Sequence, residues 1–272
     1  MLLNGLPAEQ IPLTDRGLHY GDGLFETLAV MDAEPRFWDR HMARLARGEA
    51  ALKLPPTDKI QLYHEAQSIC QSTARGVLKI LITRGSGGRG YRPPETCEPR
   101  RILSLHPWPD YPKHWFSQGI RMRVCETRLS RNPRLAGHKH LNRLEQVLAR
   151  QEWQDPDIAE GLMLDEQGMV VSGTQSNLFV IVEGKLMTPD LSYSGVTGIM
   201  REVVIECAER LGLPLLIKQL DLATVKSAQA MFITNSLMGL CPVASVDEHH
   251  YALSGIPHNL QQVLCESIEQ GV

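Results

Sequence analysis

The sequence predicts an α+β fold in two unequal parts, and three observations carry that reading. Strand-like alternation and helix-like periodicity both occur, each more than once, along the 272 residues. The stretch PWPDYPKHWFSQG, residues 107–119, has three prolines and no periodicity, which makes it the best interdomain connection. No internal repeat and no low-complexity segment interrupts the chain. The expected boundaries are a smaller N-terminal domain over 1–110, a linker over 111–120 and a larger domain over 121–272.

Each element follows from local chemistry. Asn4-Gly5 inside MLLNGLPAEQ signals a hairpin. LFETLAVM reads as a strand, and Asp32-Ala33-Glu34-Pro35 turns it back into RFW. Asp39 is placed to cap a helix over 40–53 that Pro55-Pro56 stops, and Asp58 to cap a second over about 59–73. Strands follow at 77–83 and at RRILSLHPW. Beyond the connection, IRMRVCETRL alternates as a strand. HLNRLEQVLARQEW reads as a helix with Leu141, Leu144 and Leu148 on one face. GLMLDEQGMVVSGTQSNLFVIVEGKLMTP gives successive strands with turns at Asp165–Gly168 and Glu183-Gly184. TGIMREVVIECAERLG is a helix ending at Gly212, AQAMFITNSLMGLCPVASV is strand and loop, and 256–269 form a last helix.

Composition narrows the function classes. Hydrophobic residues are 43% and charged residues 22%, ordinary values for a globular protein, and the formal net charge is -3 with dispersed basic residues. Nothing points to a nucleic-acid partner. Six scattered cysteines read as reduced thiols of a cytoplasmic protein. The N-terminus has no basic region of the signal-peptide kind, and no apolar run approaches the ~20 residues that span a bilayer. His138/His140 and His249/His250 lack a third ligand at suitable spacing, so no metal is expected.

Two motifs carry chemistry. Gly85, Gly87 and Gly90 spell G-x-G-x-x-G after a strand, the spacing of a dinucleotide loop. That loop needs a helix directly behind it, and Pro93-Pro94 forbid one. What is left is a glycine-rich loop carrying Arg84, Arg89 and Arg92. It is either a solvated surface loop or a device that places a guanidinium against an anionic substrate. Lys139, in RNPRLAGHKHLNRLEQVL, sits at the entrance of the expected helix. The helix field, with His138, His140 and Arg143 nearby, would lower its pKa toward the neutral amine that Schiff-base chemistry requires, although a surface lysine is the usual alternative.

Taken together, RGSGGRGY, RNPRLAGHKHLNRLEQVL and ITNSLMGLCPV, with DRGLHYGDGLFE at 15–26 and HMARL at 41–45, resemble the fold-type IV pyridoxal-phosphate family, and within it the aminodeoxychorismate lyases. The resemblance runs over nearly the whole chain. It implies a small N-terminal α/β domain, a larger C-terminal domain with a barrel-like sheet, a homodimer, and pyridoxal 5'-phosphate as cofactor. The activity it implies is release of pyruvate from aminodeoxychorismate for folate synthesis. An aminotransferase of D-amino or branched-chain amino acids is the alternative. By resemblance, Lys139 would form the Schiff base and later move the substrate's ring proton. Arg44 and the Gly195-Val196-Thr197 helix start would hold the phosphate, and Asn177, Asn235 and Ser236 would add cofactor contacts. The family usually has a glutamate five residues before Asn177 to pair with the pyridine nitrogen; here that position is Ser172, which offers a hydroxyl and no charge. Glu26 is a possible source of the missing charge. Arg89, with Arg84, Tyr91, Arg92 or Thr27, would meet the substrate, whose two carboxylates suit an arginine-bearing loop.

Overall fold

A computed structural model describes residues 1–271. The chain forms two compact units. The first is Met1–Pro109 together with His138–Arg143; the second is Asp110–Gly137 together with Leu144 onward.

The first unit is a six-stranded sheet of β1 (Leu2–Leu3), β2 (Leu6–Pro7), β3 (Gly23–Met31), β4 (Glu34–Pro35), β5 (Arg75–Thr83) and β6 (Arg100–Pro107), in the order β2-β1-β6-β5-β3-β4. Asn4 and Gly5, at φ 50° and 83°, turn the predicted hairpin. Helix α1 (Arg16–Tyr20) precedes β3, and α2 (Trp38–Leu52) and α3 (Lys59–Cys70) cover one sheet face. Leu24 and Leu28 of β3 and Leu78, Ile80 and Ile82 of β5 share that face, packed in one buried cluster with Met42, Leu45, Leu62 and Ala66. Strand alternation sends Phe25, Thr27 and Lys79 to the opposite face, with Thr27 directly across from Lys79.

In this unit two boundaries differ from the sequence reading. The return leg after Asp32-Ala33 is only Glu34–Pro35, because Phe37 adopts a left-handed φ of 55° and Trp38 already opens α2. Asp39 therefore lies inside the first turn instead of capping it, where its charge still complements the helix N-terminus. Asp58 does cap α3, accepting from Ile60 N and Gln61 N at 2.9 and 3.1 Å.

The second unit holds a ten-stranded sheet. Its strands are β7 (Ile120–Val124), β8 (Ile158–Leu164), β9 (Met169–Gly173), β10 (Asn177–Val182), β11 (Lys185–Pro189), β12 (Leu215–Lys218), β13 (Leu220–Asp221), β14 (Ala230–Asn235), β15 (Gly239–Val246) and β16 (His249–His250). They follow the order β12-β11-β10-β14-β15-β7-β8-β9-β13, with β16 on β15. Phe179 and Phe232 face each other across β10 and β14 and stack at 5.1 Å, both fully buried. The proline-rich stretch is not wholly irregular: it contains α4 (His114–Gln118). The predicted helix from His140 is much shorter, α5 (Leu144–Arg150), and its leucines do not face a core. Leu144 and Leu148 are 75% and 55% exposed. Then come α6 (Ile199–Arg210), α7 (Leu222–Lys226) and α8 (His258–Gln270).

Candidate active site

Lys139 does not stand at a helix entrance. Residues 139–141 run extended along the free edge of β3. Phe25 N donates to Lys139 O at 2.9 Å, Leu141 N donates to Gly23 O at 3.0 Å, and Leu24 bridges His140. This pairing fixes the side chain: the Lys139 amine lies 4.3 Å from the centre of the Phe25 ring, on the sheet face away from the α2/α3 core. Lys79 reaches toward the same ring from β5, at 5.7 Å.

The expected cause of the low amine pKa is corrected accordingly. Lys139 does not lie in the first turn of α5, which starts at Leu144, so the predicted helix entrance is not what lowers it. The pKa is nevertheless pulled down from 10.5 to about 7. Burial is the largest cause, then the Arg44 charge, with Arg143 and Lys79 adding to it and Glu26 opposing. His140 contributes no positive charge, because burial and the Arg143 guanidinium, which donates to its ring, push its own pKa down to about 4.

Behind Lys139 lies a buried charge network. Glu26, 1% exposed, accepts from Arg44 Nε at 2.9 Å, from Arg44 Nη2 at 2.5 Å and from His41 Nδ1 at 2.7 Å. Burial alone would raise the Glu26 pKa; Arg44 and His41 outweigh it and hold the carboxyl down at about 2. Burial lowers the His41 pKa, so a neutral ring donates Nδ1–H, and its buried Nε2 has no hydrogen-bond partner among the described residues. Glu26 is thus engaged with α2, and two nitrogens of Arg44 are engaged with Glu26.

The second unit contributes a different kind of site. Helix α6 begins with Gly198 as N-cap, which has no side chain to cap it, and the N-terminus of a helix presents N–H groups suited to an anion. The loop before it is set by backbone pairing: Gly137 N donates to Gly195 O at 3.0 Å and Thr197 N to Gly137 O at 3.1 Å. Asn177 fastens the same loop, donating from Nδ2 to Val196 O at 3.0 Å. A Cβ on Gly198 would fall 2.0 Å from Asn177 Oδ1, so only glycine permits this approach. Ser172, 8% exposed, donates its hydroxyl to Gly173 O at 2.8 Å. Asn235 Oδ1 accepts from Leu237 N and Met238 N at 3.0 and 2.8 Å, fixing the turn that includes Ser236.

Of the loop residues, Arg84 is 6% exposed and its guanidinium is spent on the fold, donating to Asp22 at 2.7 Å, Leu52 O at 2.7 Å and Lys53 O at 3.0 Å. Arg89 and Tyr91 are exposed, and Thr27 is half-buried beside Lys79. Three residues escaped the sequence reading. Lys79 could have been found from the register of β5 against β3. His41 stands in the HMARL motif with Arg44. Glu160, 2% exposed, accepts from Thr174 and Ser176 hydroxyls and from Gly161 N and Thr174 N, and so holds the turn between Ser172 and Asn177. A lone glutamate in a strand gives no sequence signal for that.

A lysine amine with a pKa near 7 can form a Schiff base with a carbonyl compound, and a helix N-terminus is suited to an anion. The chain belongs to the amino-transferase class IV family, whose profile matches residues 23–246. It is 36% identical over 244 residues to aminodeoxychorismate lyase of Vibrio harveyi, covering 90% of each chain. The crystal structure of 4-amino-4-deoxychorismate lyase from Pseudomonas aeruginosa superposes with a TM-score of 0.93 at 45% identity, covering 98% of both chains. A branched-chain-amino-acid aminotransferase of Escherichia coli K12 is 28% identical over 251 residues, covering 88% of this chain and 80% of that one.

Proposed function

We propose that this protein is a pyridoxal-phosphate-dependent aminodeoxychorismate lyase, converting 4-amino-4-deoxychorismate to 4-aminobenzoate and pyruvate in folate biosynthesis. The observation that carries the reading is the whole-length likeness at 36% and 45% identity to two lyases, against 28% to an aminotransferase. The donor set suits the cofactor. Lys139, with an amine pKa of about 7, would hold its aldehyde carbon, while the start of α6 with Val196 and Thr197 suits a phosphate. Arg44 would supply positive charge, and Asn177, Asn235 and Ser236 would shape the surroundings. Ser172, whose hydroxyl donates to Gly173 O, would offer the pyridine nitrogen an oxygen acceptor.

When bound, the cofactor supplies an electron sink for the carbon bearing the substrate amine. The chain's own work is positioning and proton transfer. Lys139 would take the proton from the ring carbon that bears the amine, because a base with pKa near 7 is matched to neutral pH. The bond between the ring carbon and the enolpyruvyl oxygen would break, the ring would become aromatic, and the departing enolate would take a proton at its methylene carbon to become pyruvate. That driving force suits a site where Ser172 provides no full charge. Thr27 and the loop residues Arg89 and Tyr91 would meet the substrate carboxylates. We place the enzyme in the cytoplasm as a homodimer, with the exposed Leu144, Val147 and Leu148 of α5 as apolar surface for its partner.

The test is stoichiometry. Purified protein given aminodeoxychorismate should release 4-aminobenzoate and pyruvate in equal amounts. Amino transfer to a keto acid without those products would return the aminotransferase reading.

A further inference from the structure

The glycine-rich loop is latched, and the latch is a residue the proposed mechanism does not use. Arg16, 3% exposed, donates from Nε to Asp22 at 2.9 Å, from Nη1 to Gly90 O at 3.0 Å and from Nη2 to Tyr91 O at 3.0 Å. Its guanidinium lies 4.7 Å from the centre of the Tyr20 ring. The Tyr20 hydroxyl accepts from Gly90 N at 3.1 Å, and the Tyr20 and Tyr91 rings meet edge-on at 5.6 Å. The near end of the loop is tied to the same segment: Arg16 N donates to Gly85 O at 2.9 Å and Gly87 N to Thr14 O at 3.2 Å. The glycines now have a physical reason. Gly85 and Gly90 take φ of 86° and 100°, and a Cβ on Gly87 would stand 2.7 Å from Arg16 Cδ.

Between the held ends, Arg89 remains exposed, one residue before the clamped Gly90. A carbonyl is a poor reason to bury an arginine unless its position matters; here two successive carbonyls are held by one rigid fork. We propose that Arg16 is a positioning residue for substrate binding: it fixes the backbone of Gly90 and Tyr91 so that Arg89 is presented to a substrate carboxylate. This rests on the lyase reading, and on Arg89 as the carboxylate contact.

Two variants and two readouts test it. Arg16→Gln removes the fork, and Tyr20→Phe removes only the acceptor for Gly90 N, which keeps the test informative if the first variant folds poorly. The Arg89–Gly90 bond is a tryptic site, whereas Arg92 precedes Pro93 and resists trypsin. Opening the latch should speed cleavage after Arg89 by about tenfold or more in Arg16→Gln, and less in Tyr20→Phe. KM for aminodeoxychorismate should rise about tenfold with kcat kept within about twofold, the size of one lost charge-assisted contact. In an Arg89→Gln background, Arg16→Gln should raise KM no further. Unchanged cleavage, or an equal rise in KM with and without Arg89, would overturn the role of Arg16 while leaving the lyase reading in place. A wild-type protein that released no 4-aminobenzoate would remove the reading itself, and this role with it.

Discussion

Two regions of the molecule, one in each unit, are built from opposite materials. Around Lys139 the chain uses burial and charge: desolvation first, then Arg44, Glu26, Arg143 and Lys79, set the protonation of one amine. Around Thr197 it uses shape: backbone pairs, a glycine N-cap and the Asn177 amide arrange the start of α6. The first half should respond to pH and to charge substitutions, the second to volume. That contrast organises the expected outcomes, from the largest effect to the smallest.

Lys139→Ala should lower lyase turnover by at least about 10³-fold, since it removes both the cofactor anchor and the base; product release under single-turnover conditions checks it. Glu26→Gln should cost about 3–5 kcal/mol in urea unfolding at neutral pH, because the buried Arg44 charge loses the Glu26 carboxylate. The sign of its pH dependence is fixed. The carboxyl sits at about 2 in the fold against an ordinary 4.5, so its contribution is complete above the ordinary value and is lost as pH falls toward the folded one. The stability gap between wild type and variant should therefore shrink across that window in acid titrations.

In the second half, Gly198→Ala drives a methyl to within 2.0 Å of Asn177 Oδ1. It should destabilise by about 1–3 kcal/mol and weaken cofactor retention in dialysis, with the Lys139 titration unmoved. Thr197→Val should be the mildest, a cofactor affinity loss of about tenfold or less with near-native stability. If a charge change moved the α6 half as much as the Lys139 half, the contrast would break.

The sequence made local chemistry legible. Asn4-Gly5, the Asp58 cap and the turns at Asp165–Gly168 and Glu183-Gly184 all depend on residues within a few positions of one another. So does the failure of the G-x-G-x-x-G spacing, since Pro93-Pro94 follow at once and no helix forms there. Lys139 was legible as a candidate, but for the wrong physical reason. The segment HKHL has no β-branched run, and the leucines after it keep helical spacing, so nothing local shows that it adds to the edge of β3. The same leucines show why spacing alone is not burial: Leu144 and Leu148 keep the period and remain exposed. Arg84 and Arg16 were hidden for a further reason. Their partners lie far along the chain, at Leu52 and Lys53 for one and at Gly90 and Tyr91 for the other, and no pattern in either neighbourhood announces them.

The central claim is that burial and the Arg44 charge bring the pKa of the Lys139 amine down to about 7. It is tested most directly by titrating that amine in cofactor-free protein, through the rate of capture of a phosphate-free aromatic aldehyde, trapped by borohydride and located at Lys139 by mass spectrometry. A midpoint near 7, moving upward in Arg44→Gln, is the predicted result. A midpoint near the ordinary 10.5, or one indifferent to Arg44, would contradict it.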